Sequence, residues 1–240
     1  CFRDIDQSED YKLKVPVYVA GILLLKQKYQ ELVTYGERLQ QADAEYDQKP
    51  LIFQQVGTAC FALRKYADAL KYLRAGEAAT SAPTRELRYL LGMALYYQER
   101  YPDAIRYLEP VAEGTDTVAQ GSSYFLGFAY LEANRGEDAR FAFRRAYSLD
   151  LQPVYKQDGL FQYAKLSFHQ RFYADAVTSF REYLAKYPDA ANGNEVRGLV
   201  GEALYYSNNL AEAIQFFTAS GLRDPRTQKA YQRACLYFGL

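Results

Sequence analysis

The stretch KYADALKYL, residues 65–73, returns along the chain in altered form, as YPDAIRYL at 101–108 and as FYADAVTSF at 172–180. A catalytic motif normally occurs once, whereas a phrase that returns at a regular interval is typical of a repeated structural unit. With the alanine of this phrase as an anchor, equivalent positions follow one another at intervals of 35 or 37 residues. The six anchors are Leu32, Ala69, Ala104, Ala139, Ala176 and Ala213.

Two further features keep a fixed distance from each anchor. Apolar residues run at i, i+3, i+4 and i+7 on both sides of the phrase, so each unit is predicted to be two amphipathic helices. Small residues at facing positions would let the two helix axes approach closely, and an acid in the first turn would complement the exposed N–H groups of the second helix. The small residues, twelve positions before the anchors, are Ala20, Gly57, Gly92, Gly127, Ala164 and Gly201; the acids, directly before the anchors, are Glu31, Asp68, Asp103, Asp138, Asp175 and Glu212.

Prolines and tyrosines mark the ends of the predicted helices. Pro188 and Pro225 lie where the second helix of a unit should stop, and Pro110 lies inside a second helix, which it should kink or shorten. A tyrosine three residues before the anchor, such as Tyr66, is expected to pack over the turn that joins the two helices. Each unit therefore reads as helix, turn, helix.

This pattern resembles the tetratricopeptide repeat, or TPR. The stretches LLGMAL (90–95), FLGFAYL (125–131) and GEALYY (201–206) are similar to the first helix of that repeat, and ADALKYL (67–73), EDARFAFRRA (137–146) and ADAVTSFREYL (174–184) to the second. The resemblance implies an all-α fold, a right-handed TPR superhelix or α-solenoid, over residues 1–240 as a single domain. Two other repeats of similar length fit less well: aromatic first helices and a neutral charge disfavour the RNA-reading pentatricopeptide repeat, and the glycine-rich second helix of Sel1-like repeats is missing.

The resemblance divides the chain into six helix-turn-helix repeats with a partial repeat at each end. The last partial repeat would begin a seventh first helix, with Gly239 at the small position. A terminal helix without a partner exposes an apolar face, so we expect the sequence to be a fragment of a longer chain. The approximate boundaries are 13–49, 50–84, 85–119, 120–156, 157–193 and 194–231, with partial repeats at 1–12 and 232–240.

Composition argues against two classes of partner. The 29 Lys and Arg balance the 29 Asp and Glu, whereas a protein that binds nucleic acid usually has a concentrated basic face. The longest apolar run, VPVYVAGILLL (15–25), is shorter than the roughly 18–20 residues of a membrane span. Membrane attachment is therefore expected only through an anchor outside this fragment.

The residues needed for catalysis or metal binding are missing from the pattern. The only histidine, His169, cannot build a metal site, and no cysteine pair has ligand spacing, so no metal or cofactor is predicted. Cys60 and Cys235 lie in apolar helical patterns and read as core residues. Cys1 is in register with the repeat, which favours an internal residue at a fragment boundary over the lipidated first residue of a mature lipoprotein. We expect a non-enzymatic protein.

The TPR resemblance also implies where a partner would bind. In that family, positions 2, 5, 9, 12 and 13 of the repeats usually line a concave groove, and here many of them are aromatic. Tyrosine is a frequent binding anchor, because it offers a large rigid surface and a hydroxyl group. The predicted partner-binding residues are Tyr89, Met93, Tyr96, Tyr97, Tyr124, Phe128, Phe161, Lys165, Phe168, His169, Glu202, Tyr205 and Tyr206.

These residues predict a protein–protein interaction scaffold that holds a peptide or a partner helix in an aromatic groove. Self-association, assembly into an outer-membrane secretion or gliding apparatus, and glycan binding stay open as alternatives. A narrower resemblance bears on location: DGLFQYAKLSF (158–168) and KAYQRACLYFGL (229–240) are similar to large multi-TPR proteins of Bacteroidota bacteria. That resemblance implies the periplasm or the outer membrane.

Overall fold

The computed structural model describes residues 13–42, 46–221 and 225–239. All regular secondary structure in these ranges is helical, as the repeat pattern predicts. The thirteen helices are α1 (Val15–Leu25), α2 (Tyr29–Gln41), α3 (Lys49–Ala62), α4 (Tyr66–Ala78), α5 (Arg85–Tyr97), α6 (Tyr101–Ala112), α7 (Thr117–Glu132), α8 (Gly136–Ser148), α9 (Pro153–His169), α10 (Tyr173–Lys186), α11 (Gly193–Tyr206), α12 (Leu210–Ser220) and α13 (Pro225–Phe238).

The helices form two compact units. Unit 1 ends at Gly114 and contains α1–α6, and unit 2 begins at Thr115 and contains α7–α13. Within each unit, successive helices pack on one another, and first helices of neighbouring repeats also touch: α1 with α3 and α3 with α5, then α7 with α9 and α11 with α13. Six helix pairs followed by a seventh first helix confirm the predicted all-α repeat fold, while the single domain over 1–240 stays a prediction.

The predicted close helix contact is present, but the small residue faces a different neighbour from the one expected. All six anchor residues are fully buried. A Cβ atom added to Gly92 would lie 2.6 Å from the side chain of Leu108, and one added to Gly127 would lie 2.5 Å from the ring of Phe143. Leu108 and Phe143 follow their anchors by one helical turn. Glycine on the first helix therefore makes room for a large side chain of the second helix, and not for the anchor alanine.

In the first repeat the large and the small residue of the second helix have exchanged places, which accounts for its leucine anchor. Leu32 is fully buried in place of alanine, and Gly36 stands one turn later, where the other repeats carry a large residue. A Cβ atom on Gly36 would lie 2.6 Å from Val56, on the next first helix. Because the large side chain lies one turn earlier on α2, at Leu32, space is left at Gly36, and Val56 of the neighbouring repeat fills it.

Every turn between a first and a second helix has one residue in the left-handed conformation, always at the equivalent position. The sequence pattern did not reveal this feature. The φ angles lie between 55° and 65° at Gln27, Arg64, Glu99, Asn134, Arg171 and Asn208. The next N–H returns to a carbonyl five residues earlier, for example from Arg100 to the Leu95 oxygen at 3.0 Å and from Arg135 to the Tyr130 oxygen at 2.8 Å. This bond pattern closes the C-terminus of the first helix, and three residues separate that helix from the second one.

The repeated acids lie in the first turn of the second helices, as predicted. Three of them also pair with the basic residue three positions earlier. Glu31 lies 2.8 Å from Lys28, Asp138 lies 2.7 Å from Arg135, and Asp103 pairs with Arg100. All three pairs are exposed, so each contributes little to stability and mainly complements the helix terminus.

The structure places two prolines at helix starts, which differs from the predicted boundaries. Pro188 follows the end of α10, as expected, but Pro225 begins α13 and does not end α12, which stops at Ser220. Proline suits the first turn of a helix, where its missing N–H costs nothing. For the same reason α9 begins at Pro153, so the predicted boundaries near 156 and 231 fall inside helices.

Three further predictions change with the structure. Gly239 lies beyond the end of α13 with a φ of 86°, and Ala234 is the residue of that helix buried in the core of unit 2. Pro110 shortens α6 by little, because α6 has 12 residues and α4 has 13. Cys60 is fully buried, as predicted, whereas Cys235 is only half-buried.

Within the described ranges, no helix combines the length and the apolar character that crossing a membrane requires. The predicted partial repeat at 1–12, and Cys1 with it, lies outside the described residues.

Candidate partner-binding surface

Helix α5 carries the four predicted site residues of unit 1, and they differ in accessibility. Met93 is buried, so its side chain offers little surface to a partner. Tyr89 and Tyr96 are half-buried, and Tyr97, at the end of the helix, is 41% exposed. The accessible part of this helix is therefore its C-terminal end.

Tyr97 belongs to a ring cluster that joins two repeats. Its ring stacks on that of Tyr66 with centroids 4.4 Å apart and planes 7° from parallel. Phe61 lies edge-on to both rings, at 5.3 Å from Tyr66 and 5.9 Å from Tyr97. The turn tyrosine thus packs over the turn, as predicted, and also against the first helix of the next repeat.

Helix α7 begins the corresponding surface of unit 2. Tyr124 and Phe128 are half-buried, and Phe128 packs edge-on against Phe143 with centroids 4.9 Å apart. Tyr124 stacks on Tyr155 at 4.7 Å, and its hydroxyl donates a 2.7 Å hydrogen bond to Asp158. Both Tyr155 and Asp158 lie on α9, so Tyr124 ties neighbouring first helices together.

On α9 the four predicted residues divide into two buried rings and two accessible polar groups. Phe161 and Phe168 are 8% and 7% exposed and belong to the core of unit 2. The ammonium group of Lys165 lies 5.4 Å from the centre of the Phe161 ring and 3.4 Å from the Glu195 carboxylate on α11. His169 is exposed at the end of the helix, edge-on to Phe168 at 5.6 Å.

Helix α11 repeats the tyrosine arrangement of α5. Glu202 is 6% exposed, Tyr205 is half-buried, and Tyr206 is 50% exposed. The Tyr206 ring stacks on Tyr173 with centroids 5.4 Å apart and planes 22° from parallel. Tyr173 is the turn residue of its repeat, so the Tyr173–Tyr206 pair is equivalent to the Tyr66–Tyr97 pair.

Only part of the predicted set is accessible within the two units. Tyr97, His169 and Tyr206, all at position 13, are the exposed members, and Met93, Phe161, Phe168 and Glu202 are buried. Tyr66 and Tyr173 were missed as site residues, although their fixed place three residues before the anchor was visible. The contacts of Asp158 and Glu195 with the neighbouring first helix had no signal in the sequence.

The accessible residues of the predicted set carry aromatic, ammonium and imidazole groups. In the ranges that the structure describes, no three His, Cys, Asp or Glu side chains lie close enough together to hold a metal ion. Burial raises the pKa of the Cys60 thiol to about 11, so this group stays protonated near neutral pH and is a poor nucleophile. The accessible residues of the predicted set thus offer stacked rings, one ammonium group and one imidazole to a partner.

Comparison with known proteins gives a family model and several solved structures. The model described as tetratricopeptide repeat matches residues 56–115, 89–154 and 164–222. No curated relative matches the chain. Three structures with the same fold are YrrB, described as a TPR protein with an unusual peptide-binding site, RapI in its apo form, and a tetratricopeptide repeat protein from Parabacteroides merdae.

The structural likeness is broad and the sequence identity is low. YrrB is 14% identical over 79% of this chain and 93% of its own, with a TM-score of 0.65. RapI is 11% identical over 99% and 73%, with a TM-score of 0.63, and the Parabacteroides merdae protein is 10% identical over 94% and 86%, with a TM-score of 0.59. At such identities the likeness shows the fold alone. Because the family model matches more than half of the sequence, the chain belongs to the tetratricopeptide repeat family.

Proposed function

We propose that this chain is a non-enzymatic scaffold that binds a peptide or a partner helix on its first helices. The observation that carries the proposal is the recurrence of a stacked tyrosine pair in which one ring is exposed and the other half-buried, Tyr97 on Tyr66 in unit 1 and Tyr206 on Tyr173 in unit 2. A stacked ring is already fixed in its rotamer, so burying it under a partner costs little further entropy. The hydroxyl groups add hydrogen-bond donors at the edge of the contact.

Polar links between neighbouring first helices support the same proposal. Tyr124 is bonded to Asp158, and Lys165 is paired with Glu195, each across a repeat boundary. These links fix the spacing of the first helices before a partner arrives, which reduces the cost of binding. The peptide-binding site in the description of YrrB, a protein of the same fold, agrees with this use of the fold.

We assign the direct contacts to the accessible residues, with Tyr97 central in unit 1 and Tyr206 and His169 central in unit 2. Tyr205, Lys165 and Tyr124 flank them as half-buried neighbours. Met93, Phe161, Phe168 and Glu202 then shape the surface from below and make no large contact themselves. This ranking within the predicted set follows from exposure alone.

The test begins with a phage-displayed peptide library selected on the full chain. Peptides that are enriched would be synthesised, and their affinity measured by calorimetry for the parent, for Tyr97→Ala with Tyr206→Ala, and for Phe141→Ala. Truncating a binding hot spot costs about 2 kcal/mol or more, so the double variant should bind more than about tenfold more weakly. Phe141, 55% exposed on the second helix α8, is the matched control, and its variant should bind like the parent.

Two results would contradict the proposal. One is enrichment of peptides whose affinity is equal in the parent and the tyrosine double variant, which moves the site elsewhere. The other is a library without enriched peptides combined with Tyr206-dependent binding on a glycan array, which favours the glycan alternative. Circular dichroism of each variant establishes that lost binding is not lost helix.

We also propose a cell-envelope location, in the periplasm or at the outer membrane, as an assembly component or a scaffold there. The support is the resemblance of residues 110–240 to multi-TPR proteins of Bacteroidota, together with the shared fold of the Parabacteroides merdae protein. Fractionation of the native cells, followed by immunoblotting, tests it: recovery in the cytoplasmic fraction alone contradicts it. Sedimentation equilibrium of the purified chain tests self-association separately.

A further inference from the structure

A depression of about 250 Å³ lies in unit 1, and none of the predicted site residues lines it. It is formed by the second helices α4 and α6 together with the N-terminal half of α5. Its lining residues are Glu77, Arg88, Arg106, Tyr107 and Pro110. None of them was singled out as a partner-binding residue, and the proposed function does not use them.

Two arginines line this depression without a carboxylate partner. In the described part of the chain, the guanidinium groups of Arg88 and Arg106 take part in no hydrogen bond and no ion pair. Arg88 is half-buried on α5 and Arg106 is exposed on α6. Two like charges at one small depression repel each other, and an anion between them would turn that repulsion into attraction. The site is therefore electrostatically incomplete.

The one acid in the depression is already engaged. The Tyr107 hydroxyl donates a 2.8 Å hydrogen bond to the Glu77 carboxylate. Burial, and then this bond, raise the pKa of Tyr107, while the charges of Arg74 and Arg106 oppose the rise. Arg74, on α4, thus lies near Tyr107 but does not line the depression. The two guanidinium groups and one carboxylate that line it leave the depression with a net positive charge.

We propose that this depression binds an oxyanion, held between the guanidinium groups of Arg88 and Arg106. The planar guanidinium fork matches the two oxygens of a carboxylate or a phosphate group, and such charge-assisted bonds are among the strongest in proteins. Pro110 gives one wall an apolar surface. The volume is larger than a bare anion needs, so the ligand carries its anionic group on a larger body.

An acidic peptide and a phosphorylated small molecule share this chemistry, and the experiment separates them. The full chain, labelled with ¹⁵N at arginine, is titrated with inorganic phosphate and, separately, with diglutamate. The Nε–Hε signals of Arg88 and Arg106, assigned through the variants below, should shift saturably with at least one probe. Saturation by phosphate alone points to a phosphorylated ligand, and saturation by diglutamate points to an acidic peptide.

Three variants make the proposal falsifiable. Arg88→Gln with Arg106→Gln should abolish the saturable shift of the Arg74 signal, whereas Glu77→Gln should tighten binding by about threefold or more, because a like-charged carboxylate is removed. Arg144→Gln removes one exposed arginine of unit 2 and serves as the control for the loss of a positive charge away from the depression. The proposal is overturned if no probe saturates the arginine signals, if Arg144→Gln weakens binding as much as the paired variant, or if Glu77→Gln weakens it. If the paired variant unfolds, Arg106→Gln alone, at an exposed position, replaces it.

Discussion

At the scale of single residues, the left-handed turn positions are where the chain departs most clearly from what its side chains prefer. Six residues with positive φ close the six turns, and none of them is glycine. A left-handed conformation costs an ordinary L-residue roughly 1–2 kcal/mol, and asparagine less because its short polar side chain bonds locally. Four of the six turns use Gln, Arg or Glu there, so these turns hold avoidable strain.

Glu99→Gly should therefore stabilise the protein. Relief of the left-handed strain at φ 57° exceeds the greater backbone entropy that glycine loses on folding, and the net gain should be about 0.5–1 kcal/mol. The urea midpoint of unfolding, followed by circular dichroism, measures it. Asn134→Gly, at φ 56° in the equivalent turn, is the control and should gain less. Equal gains at both positions would show that side-chain identity does not set the strain.

A second residue-scale feature is a fully buried glutamine that makes three hydrogen bonds. The Gln120 amide nitrogen donates to the carbonyl oxygens of Ala146 at 3.0 Å and Leu149 at 2.6 Å. Its amide oxygen accepts from the backbone N–H of Gln152 at 2.8 Å. One side chain of α7 thus supplies hydrogen-bond partners to backbone groups at the end of α8 and just before α9, which would otherwise lack partners.

Gln120→Leu should destabilise unit 2 by about 2–4 kcal/mol, since it leaves three backbone groups without their partner. Gln120→Glu should cost more at neutral pH, because a carboxylate would point its oxygens at two carbonyl oxygens. Its folded-state pKa would be raised, so the lost stability should return as the pH falls toward and below the unfolded-state pKa of about 4.3. Urea midpoints at pH 7 and pH 5 measure both effects. A Gln120→Glu variant whose stability deficit is the same at both pH values would contradict the bonding arrangement.

At the scale of helices, the same position ties the first helix to the C-terminal part of its own second helix in three repeats. Arg85 donates to the carbonyl oxygens of Val111 and Glu113 on α6 and at its C-terminus, as Gln120 does for α8. In the next repeat Gln157 donates to the Tyr183 hydroxyl at 3.3 Å. The partners lie at least 26 residues downstream, and their residue types differ from repeat to repeat. No spacing rule in the sequence could have shown these bonds.

What could be predicted at this scale follows from local periodicity. The helix pairs, the buried anchors and the acids in the first turns recur in every repeat. Each depends on residues that are close together in the sequence, so the pattern predicts them. The neighbour of Gly92 was predicted wrongly, because residue size shows that space is needed and does not show which side chain fills it. Likewise Pro225 ended a helix in the prediction and begins one in the structure, since proline is compatible with both places.

At the scale of the molecule, the predicted site residues differ in exposure, and their exposure depends on the neighbouring repeats. Positions carried over from the family include Phe161 and Phe168, yet both lie in the core of unit 2, because aromatic residues at a helix interface bury large area. Tyr97 and Tyr206 stay accessible since they end their helices. A pattern within one repeat cannot distinguish these cases, whereas the packing of successive repeats does.

Because packing is mainly between neighbouring repeats, it also predicts which helices lose stability when one of them is disrupted. In such arrays stability is approximately a sum of repeat terms and nearest-neighbour terms, so a local defect loosens adjacent helices first. Gly127 offers a defined defect, since a Cβ atom there would lie 2.5 Å from the Phe143 ring. Overpacking of this kind typically costs about 1–3 kcal/mol. Gly193 offers the matched control, because the nearest atom to its added Cβ would be the flexible end of Arg197, at 3.4 Å.

Gly127→Ala should therefore raise amide hydrogen exchange in α7 and α8, raise it less in α9, and leave α12 and α13 close to the parent. Exchange measured by mass spectrometry on peptic fragments resolves these helices, because opening that involves only part of the structure exposes only the amides of that part. Gly193→Ala should leave the exchange of α11 unchanged or slower, since alanine is the better helix former. Uniformly faster exchange across unit 2 in Gly127→Ala would mean that its repeats unfold as one cooperative body, and the nearest-neighbour description would then be wrong for this chain.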